Sequence, residues 1–517
     1  MKLPTARIAR AGTAFAAALL VLVPIAAGSA SAATPKEGGT ITVLANAGEW
    51  PTLDPAGVGA QPAADVAEFS SVYGQLFEAG PHATVVPGEA AGYRTSHNGL
   101  QVDVMLRKGM TFQDGTPFNA AAVVASIKRD LVPSVGCTCT QLFKPVTSIT
   151  AAGPLDVRFK LSAPDSALIA SFVDNAPNYT VSPTALAKEG PATFGQHPVG
   201  AGPFQVVSNA ANSKLVMKKF PHYYLKGRPY LSGLTIVATS SDQTDVQALQ
   251  TGQAQMTGVA TTSIYKLAAK TKGLKVQESV PAQVFFIRIN ALKPPFNDIR
   301  AREAIAYATD NKAIVRSLYD NLWLPIQGWT APGMAFFQKN VPGYKGYNLA
   351  KAKQLVSQLG GLSVTIQTTG NTQSMLTETE AIGSEWKAAG IQTKIQENPL
   401  TTTIKNIENG NWEAFDAAWG CGVDPATCIP MNFGSTGLFT GSHDKTLDGL
   451  IAKGEELSGK EARSGVYHAI STRLDQQVEM IPLYASGALL VTTDNVHGLV
   501  NYPTTLGFED FDRVWLS

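Results

Sequence analysis

Charge, histidine, cysteine and long apolar runs are all scarce in this chain, and each scarcity closes a class of function. Only 16% of the residues are charged, and Lys plus Arg balance Asp plus Glu at 41 to 40. A surface so close to neutral has no field with which to hold nucleic acid or an anionic membrane. The seven histidines, at 82, 97, 197, 222, 443, 468 and 497, have no ligand spacing, so none of them marks a metal centre. G-x-S-x-G, H-E-x-x-H and Walker A strings are absent, which removes the nucleophile-elbow, zinc-protease and phosphate-loop readings. Ser263-Ile264-Tyr265-Lys266 fits S-x-x-K, but no S-D-N or K-T-G accompanies it and so short a pattern arises easily by chance. Neither an enzyme nor a cofactor is expected.

One long apolar run exists, over residues 11–27. It follows Lys2, Arg7 and Arg10 and precedes the small residues Ala30-Ser31-Ala32, the layout of a secretory signal. Pro24 interrupts it, leaving an apolar core shorter than the roughly 20 residues of a spanning helix. Residues 1–32 are therefore expected to be a removed signal peptide, and the protein to be exported, periplasmic or extracellular. The first cysteine is Cys137, too far along to serve as a lipoprotein anchor. The remaining chain, with 38 basic and 40 acidic residues, is long enough for two or three domains.

The four cysteines, at 137, 139, 421 and 428, are expected to be oxidised in an exported chain, with three connectivities open. A bridge from Cys421 to Cys428 is favoured, because seven residues across a Gly- and Pro-containing loop close comfortably, whereas a C-x-C ring is small. Zinc is the alternative for four cysteines, but paired C-x2-C spacing is missing.

Constructive signals begin at residues 100–129. Val102, Val104 and Leu106 alternate with polar neighbours as a half-buried strand does. Asp114-Gly115-Thr116-Pro117 supplies turn chemistry, and Asn119 can cap a helix carrying Val123, Val124 and Ile127 on one face. Later, residues 363–367, 377–389 and 391–395 read as strand, helix and strand, a βαβ unit with Ile382, Trp386 and Ala389 facing its core and Gly390 ending the helix. Asn348 opens a further helix with Ala352, Leu355, Val356 and Leu359 in a stripe, stopped by Gly360-Gly361.

The run L-R-K-G followed by F-Q-D-G-T-P-F resembles the solute-binding proteins of ABC importers, family 5, the dipeptide, oligopeptide and nickel-binding type. Further strings keep the family's order: Gly38-Gly39-Thr40, Leu53-Asp54-Pro55, residues 72–78, residues 198–204, residues 293–310 and Ile481-Pro482-Leu483-Tyr484. The resemblance implies an α/β, two-lobed periplasmic-binding-protein-like fold of class II, the large type with an extra subdomain, mixed sheets flanked by helices and a hinge between lobes. It implies a first-lobe core from residues 33–71, 198–288 and 487–517, an extra subdomain over 72–197 and a second lobe over 289–486. The chain is expected to cross between lobes near residues 288–292 and near Ser486. The implied function is the extracytoplasmic capture of a peptide or peptide-like solute between the lobes and its delivery to ABC permease subunits by a monomeric protein. A nickel chelate, an opine or an oligosaccharide on the same scaffold is the alternative, and a secreted hydrolase a distant one.

The candidate ligand-binding residues follow partly from geometry. In open α/β sheets ligands sit beyond the carboxyl ends of strands, and residues 415–419 read as a strand that ends in Trp419 and enters a loop, Gly420-Cys421-Gly422-Val423-Asp424-Pro425. Trp419 offers a stacking face, with a core role as the alternative. Peptide-binding members of the family usually carry an acid about three positions after this Trp to pair with the ligand ammonium. Gly422 stands there instead, which leaves Asp424 as a substitute or a structural turn. Asn46, Glu49 and Trp50, at the end of the first strand, and Trp329, after residues 322–326, are further candidates for the same cleft.

Overall fold

In the computed structural model, residues 34–46, 50–58, 60, 65–369, 373–500 and 510–517 are described. The expected signal peptide lies outside them. Residues 35–517 form one compact unit.

Three sheets organise this unit. The first has seven strands, in the order Leu274–Glu278, Leu489–Thr493, Met256–Val259, Thr40–Asn46, Gly233–Thr239, Lys214–Lys219 and Phe204–Ala210. Thr40–Asn46 lies between two parallel neighbours, while the outer pairs are antiparallel. The second has six, in the order Leu324–Pro325, Met480–Ser486, Gln283–Ile289, Ala414–Gly420, Leu362–Thr369 and Ile391–Asn398. The third is an antiparallel sheet of four, Ala90–Thr95, Gln101–Leu106, Asp156–Leu161 and Val146–Ala151.

Local chemistry explains these elements. In Gln101–Leu106 the buried positions alternate as Val102, Val104 and Leu106. Asn119 Oδ1 accepts from the Ala122 N–H at 3.0 Å and so starts the helix Ala120–Asp130, satisfying a donor that has no partner inside the helix. The turn between them is an adaptor: Gln113 Nε2 donates to the carbonyls of Val72 (2.9 Å) and Phe204 (2.7 Å), and Asp114 accepts from the Ser182 hydroxyl at 2.6 Å. One signature string thus ties the four-stranded sheet to the first sheet.

The second sheet contains the expected βαβ unit. Leu362–Thr369 and Ile391–Asn398 pair in parallel, joined by the helix Gln373–Ala388, whose Ile382 and Trp386 are fully buried. Gly390, at φ +87°, ends it in a conformation that favours glycine. Asn348 caps Leu349–Gln358 through the Lys351 N–H at 3.0 Å.

The crossing between sheets falls elsewhere than expected near 288–292. The whole strand Gln283–Ile289 belongs to the second sheet, so the chain passes over at 279–282 and returns at 487–488. The apolar run through Ile287 and Ile289 continues one strand between Ala414–Gly420 and Met480–Ser486; it is not a linker. The two crossings lie side by side, with the Ala282 N–H donating to Ser486 O at 3.2 Å.

Candidate functional site

Ala414–Gly420 is a central strand, antiparallel to Gln283–Ile289 over seven residue pairs and parallel to Leu362–Thr369 over only two, Ile366 with Ala414 and Gln367 with Phe415. Its last residues therefore run past the parallel ladder. Trp419 is half-buried there, its ring 4.6 Å from that of Phe439 and tilted by 57°. Its indole N–H is buried and has no acceptor. Leaving a buried donor unpaired costs about 1–3 kcal/mol, so this group suits a site that a ligand oxygen completes.

The loop beyond is closed by a disulfide between Cys421 and Cys428, whose Cα atoms are 5.2 Å apart. Cys137 and Cys139 are also bridged. Gly422 sits at φ +52°, and a Cβ there would meet nothing within 4 Å, so the position is open. Gly420, half-buried, is the last residue of the strand and pairs with Gln283, while Cys421 is buried.

Asp424 has other work. Its Oδ1 accepts from the Ala426 N–H at 3.0 Å, and both its oxygens hold Arg463, at 2.7 Å (Nη2 to Oδ1) and 2.5 Å (Nη1 to Oδ2). Arg463 in turn lies 5.2 Å from the ring centroids of Phe336 and of Tyr467. A carboxylate already held in a two-point pair is a poor second partner for a ligand ammonium. Asp424 is therefore corrected from a substitute ligand group to the structural turn.

Trp50 is corrected in the same way. It is 0% exposed within the core of the first sheet, and its indole N–H donates to Asn209 Oδ1 at 3.1 Å. No face remains for a solute. Trp329 is also buried, 6.0 Å from the Tyr467 ring, but its N–H has no acceptor. Asn46 ends its strand opposite Thr239, and Glu49 lies outside the described residues.

On the opposite face of the Trp419 strand is a cluster that the sequence reading missed. Glu378 Oε2 accepts from the Tyr484 hydroxyl at 2.5 Å and from that of Tyr319, and Asp416 Oδ2 accepts from Thr379 Oγ1 at 2.9 Å. Burial pushes the Glu378 carboxyl up to about 7, and burial, then Glu378, raises that of Asp416 well above the usual carboxylate range. The pair thus keeps a proton at neutral pH. One signal was available: Asp416 is a lone acid within an apolar strand.

An open cavity of about 720 Å³ lies elsewhere, between the helices Ala120–Asp130 and Pro183–Glu189. None of the expected site residues lines it, and its charged wall, Asp54 with Arg129, is an internal ion pair. Size alone does not make it the solute site. Lys266 of the S-x-x-K string is engaged by Asp320. Among the described residues there is no group of three or more His, Cys, Asp or Glu side chains that could hold a metal, and no helix is long and apolar enough to cross a membrane.

Mixed sheets flanked by helices, joined by paired crossings, give the two-lobed fold of the periplasmic binding proteins. Residues 84–439 match the family described as bacterial extracellular solute-binding proteins, family 5, middle region. This chain belongs to that family. It is 27% identical over 507 residues to the glutathione-binding protein GsiB of Salmonella choleraesuis (strain SC-B67), covering 95% of this chain and 98% of GsiB. Its fold matches the ABC transporter substrate-binding protein CtaP of Listeria monocytogenes, with TM-score 0.81, 21% identity and coverage of 93% and 100%. It also matches the oligopeptide-binding protein AppA of Bacillus subtilis, in complex with a nonapeptide, with TM-score 0.79, 21% identity and coverage of 94% and 100%.

Proposed function

We propose that this protein captures a peptide or peptide-like solute between its two lobes outside the cytoplasm and hands it, unaltered and as a monomer, to the permease of an ABC importer. The observation that carries the reading is Trp419: a half-buried aromatic at the carboxyl end of a central strand, with an unpaired indole N–H, beside the open position Gly422. Trp419 offers a stacking face and a donor for a carbonyl or carboxylate oxygen of the solute, and Trp329 brings a second unpaired donor to the same lobe. Relatives named for glutathione and for oligopeptides support the choice of solute.

The first lobe takes residues 33–71, 198–278 and 489–517, the extra subdomain 72–197 and the second lobe 283–486, with short hinge segments between them. Closure is favoured by as much as the solute binds the closed form better. Because Asp424 is neutralised by Arg463, an ammonium on the solute finds no partner at that loop. The solute is therefore held through its oxygens and apolar surface more than through a free amine.

Native mass spectrometry of the purified protein, followed by calorimetry with di- to nonapeptides and glutathione, tests this reading. A bound or titratable peptide supports it. Binding of none of these, or turnover of any of them, overturns it.

A further inference from the structure

The segment 165–173 straddles two cores. Leu168, Ile169 and Phe172 are rooted among the buried residues of the four-stranded sheet, whereas Ala167 packs into the core of the second sheet with Trp329, Tyr467 and Phe433. Ala170 and Val173 meet Val423 of the disulfide-closed loop in a small cluster with Ala79. Polar bonds follow the same line: the Ser166 N–H donates to Glu455 O at 2.9 Å and its hydroxyl to Gly454 O at 3.4 Å. These contacts join residues nearly 300 positions apart, and they face each other only when the two parts are together.

The charges along this seam do not balance. Asp165 from one side meets Asp424, Glu455 and Arg463 from the other, so three carboxyls share one guanidinium that already holds Asp424. Glu456 and Tyr467 are the remaining titratable neighbours. Like charges brought together in a partly buried seam favour uptake of a proton.

We propose that residues 165–173 and the Cys421–Cys428 loop form a clasp that holds the protein closed and that tightens when Asp165 or Glu455 takes up a proton. The inference rests on the two-lobed capture reading but needs no solute. Burial, then Asp165, pushes the Glu455 carboxyl up to about 7, and burial raises that of Asp165 as well. In the parted form both acids return toward ordinary carboxylate values near 4. The closed form therefore binds more protons across the interval between, and its population falls as pH rises through about 7.

The test uses the full chain without solute, spin-labelled through Lys144→Cys and Lys353→Cys, two exposed positions on the parts that meet. Double electron–electron resonance is recorded at about pH 5.5 and about pH 8, either side of the proposed titration. The expected result is an increase of about thirtyfold in the ratio of short to long distances at the lower pH, because a carboxyl at about 7 in the closed form and near 4 in the parted form favours closure by about one and a half decades at about pH 5.5. In Asp165→Asn/Glu455→Gln the distribution becomes the same at both pH values. A distribution that ignores pH in the unmodified chain, or a shift that survives in the variant, overturns the proposal. Amide exchange over residues 165–173, corrected for intrinsic rate, is read in the chain without the two acid substitutions. Slower exchange at low pH supports the clasp, and equal exchange refutes it. Failure of these measurements leaves solute capture standing, and failure of the peptide titrations leaves the clasp testable.

Discussion

Ser279 and Ala488 bond each other twice. The Ser279 N–H donates to Ala488 O at 2.9 Å, and the Ala488 N–H donates to Ser279 Oγ at 2.7 Å. The outgoing and returning crossings between the two large sheets are therefore stitched into one short ribbon, the natural place for a hinge.

Gly487 lies between these bonds, and a Cβ there would stand 2.3 Å from Ser279 O. Gly487→Ala is expected to part the ribbon and to lower stability by about 1–3 kcal/mol, as overpacking does. Thermal unfolding beside the parent protein checks this, and an unchanged midpoint would mean that the two crossings are not held together.

Trp419→Ala is expected to weaken peptide binding by more than tenfold while the far-ultraviolet circular dichroism and unfolding midpoint stay close to those of the parent. Removing a stacking surface and an indole donor from a half-buried position accounts for both results. Calorimetry is the measurement, and an unaltered dissociation constant removes Trp419 from the cleft.

Asp424 and Arg463 separate structure from recognition. Arg463→Ala strands the Asp424 carboxylate in a largely buried place and removes guanidinium packing on Phe336 and Tyr467, so a loss of about 3 kcal/mol is expected. Asp424→Asn, which keeps one acceptor for the Ala426 N–H, is expected to shift peptide affinity by less than about threefold, a change under 1 kcal/mol. A tenfold loss confined to peptides with a free amine would restore Asp424 as their partner.

Stability should fall as pH rises from about 4.5 to about 7, with the Glu378–Asp416 pair as one cause. The folded chain holds Glu378 protonated up to about 7, whereas the unfolded chain releases that proton near 4.5. In this window the folded state binds more protons, so rising pH favours unfolding. The effect is on the order of 3 kcal/mol for Glu378. Urea midpoints measured across the window check the sign. Glu378→Gln should flatten the slope, and a midpoint that climbs with pH would contradict the assignment.

Local chemistry was legible in the sequence, and pairing at a distance was not. The Asn119 and Asn348 caps, the alternation through Val104 and the βαβ unit around Trp386 each depend on neighbours within a few residues, and each is present. Trp50 looked like an aromatic at a strand's end, but Asn209, far along the chain, takes its N–H and the core takes its ring. Asp424 looked free because Arg463 comes 39 residues later. The crossing was set too late because Phe285 to Ile289 looks the same whether it closes one sheet or opens the next. Only the ladder with Ala414–Gly420 distinguishes the two.

The bridge from Cys421 to Cys428 has a bearing on timing. A nascent chain in a reducing cytoplasm lacks it, and the stretch that carries Gly422, Val423 and Asp424 is then an ordinary length of unconstrained polypeptide. Oxidation ties it into a small ring directly after Trp419. In the proposed capture reading this ring is one wall of the solute site, and it closes only in a compartment that permits disulfides.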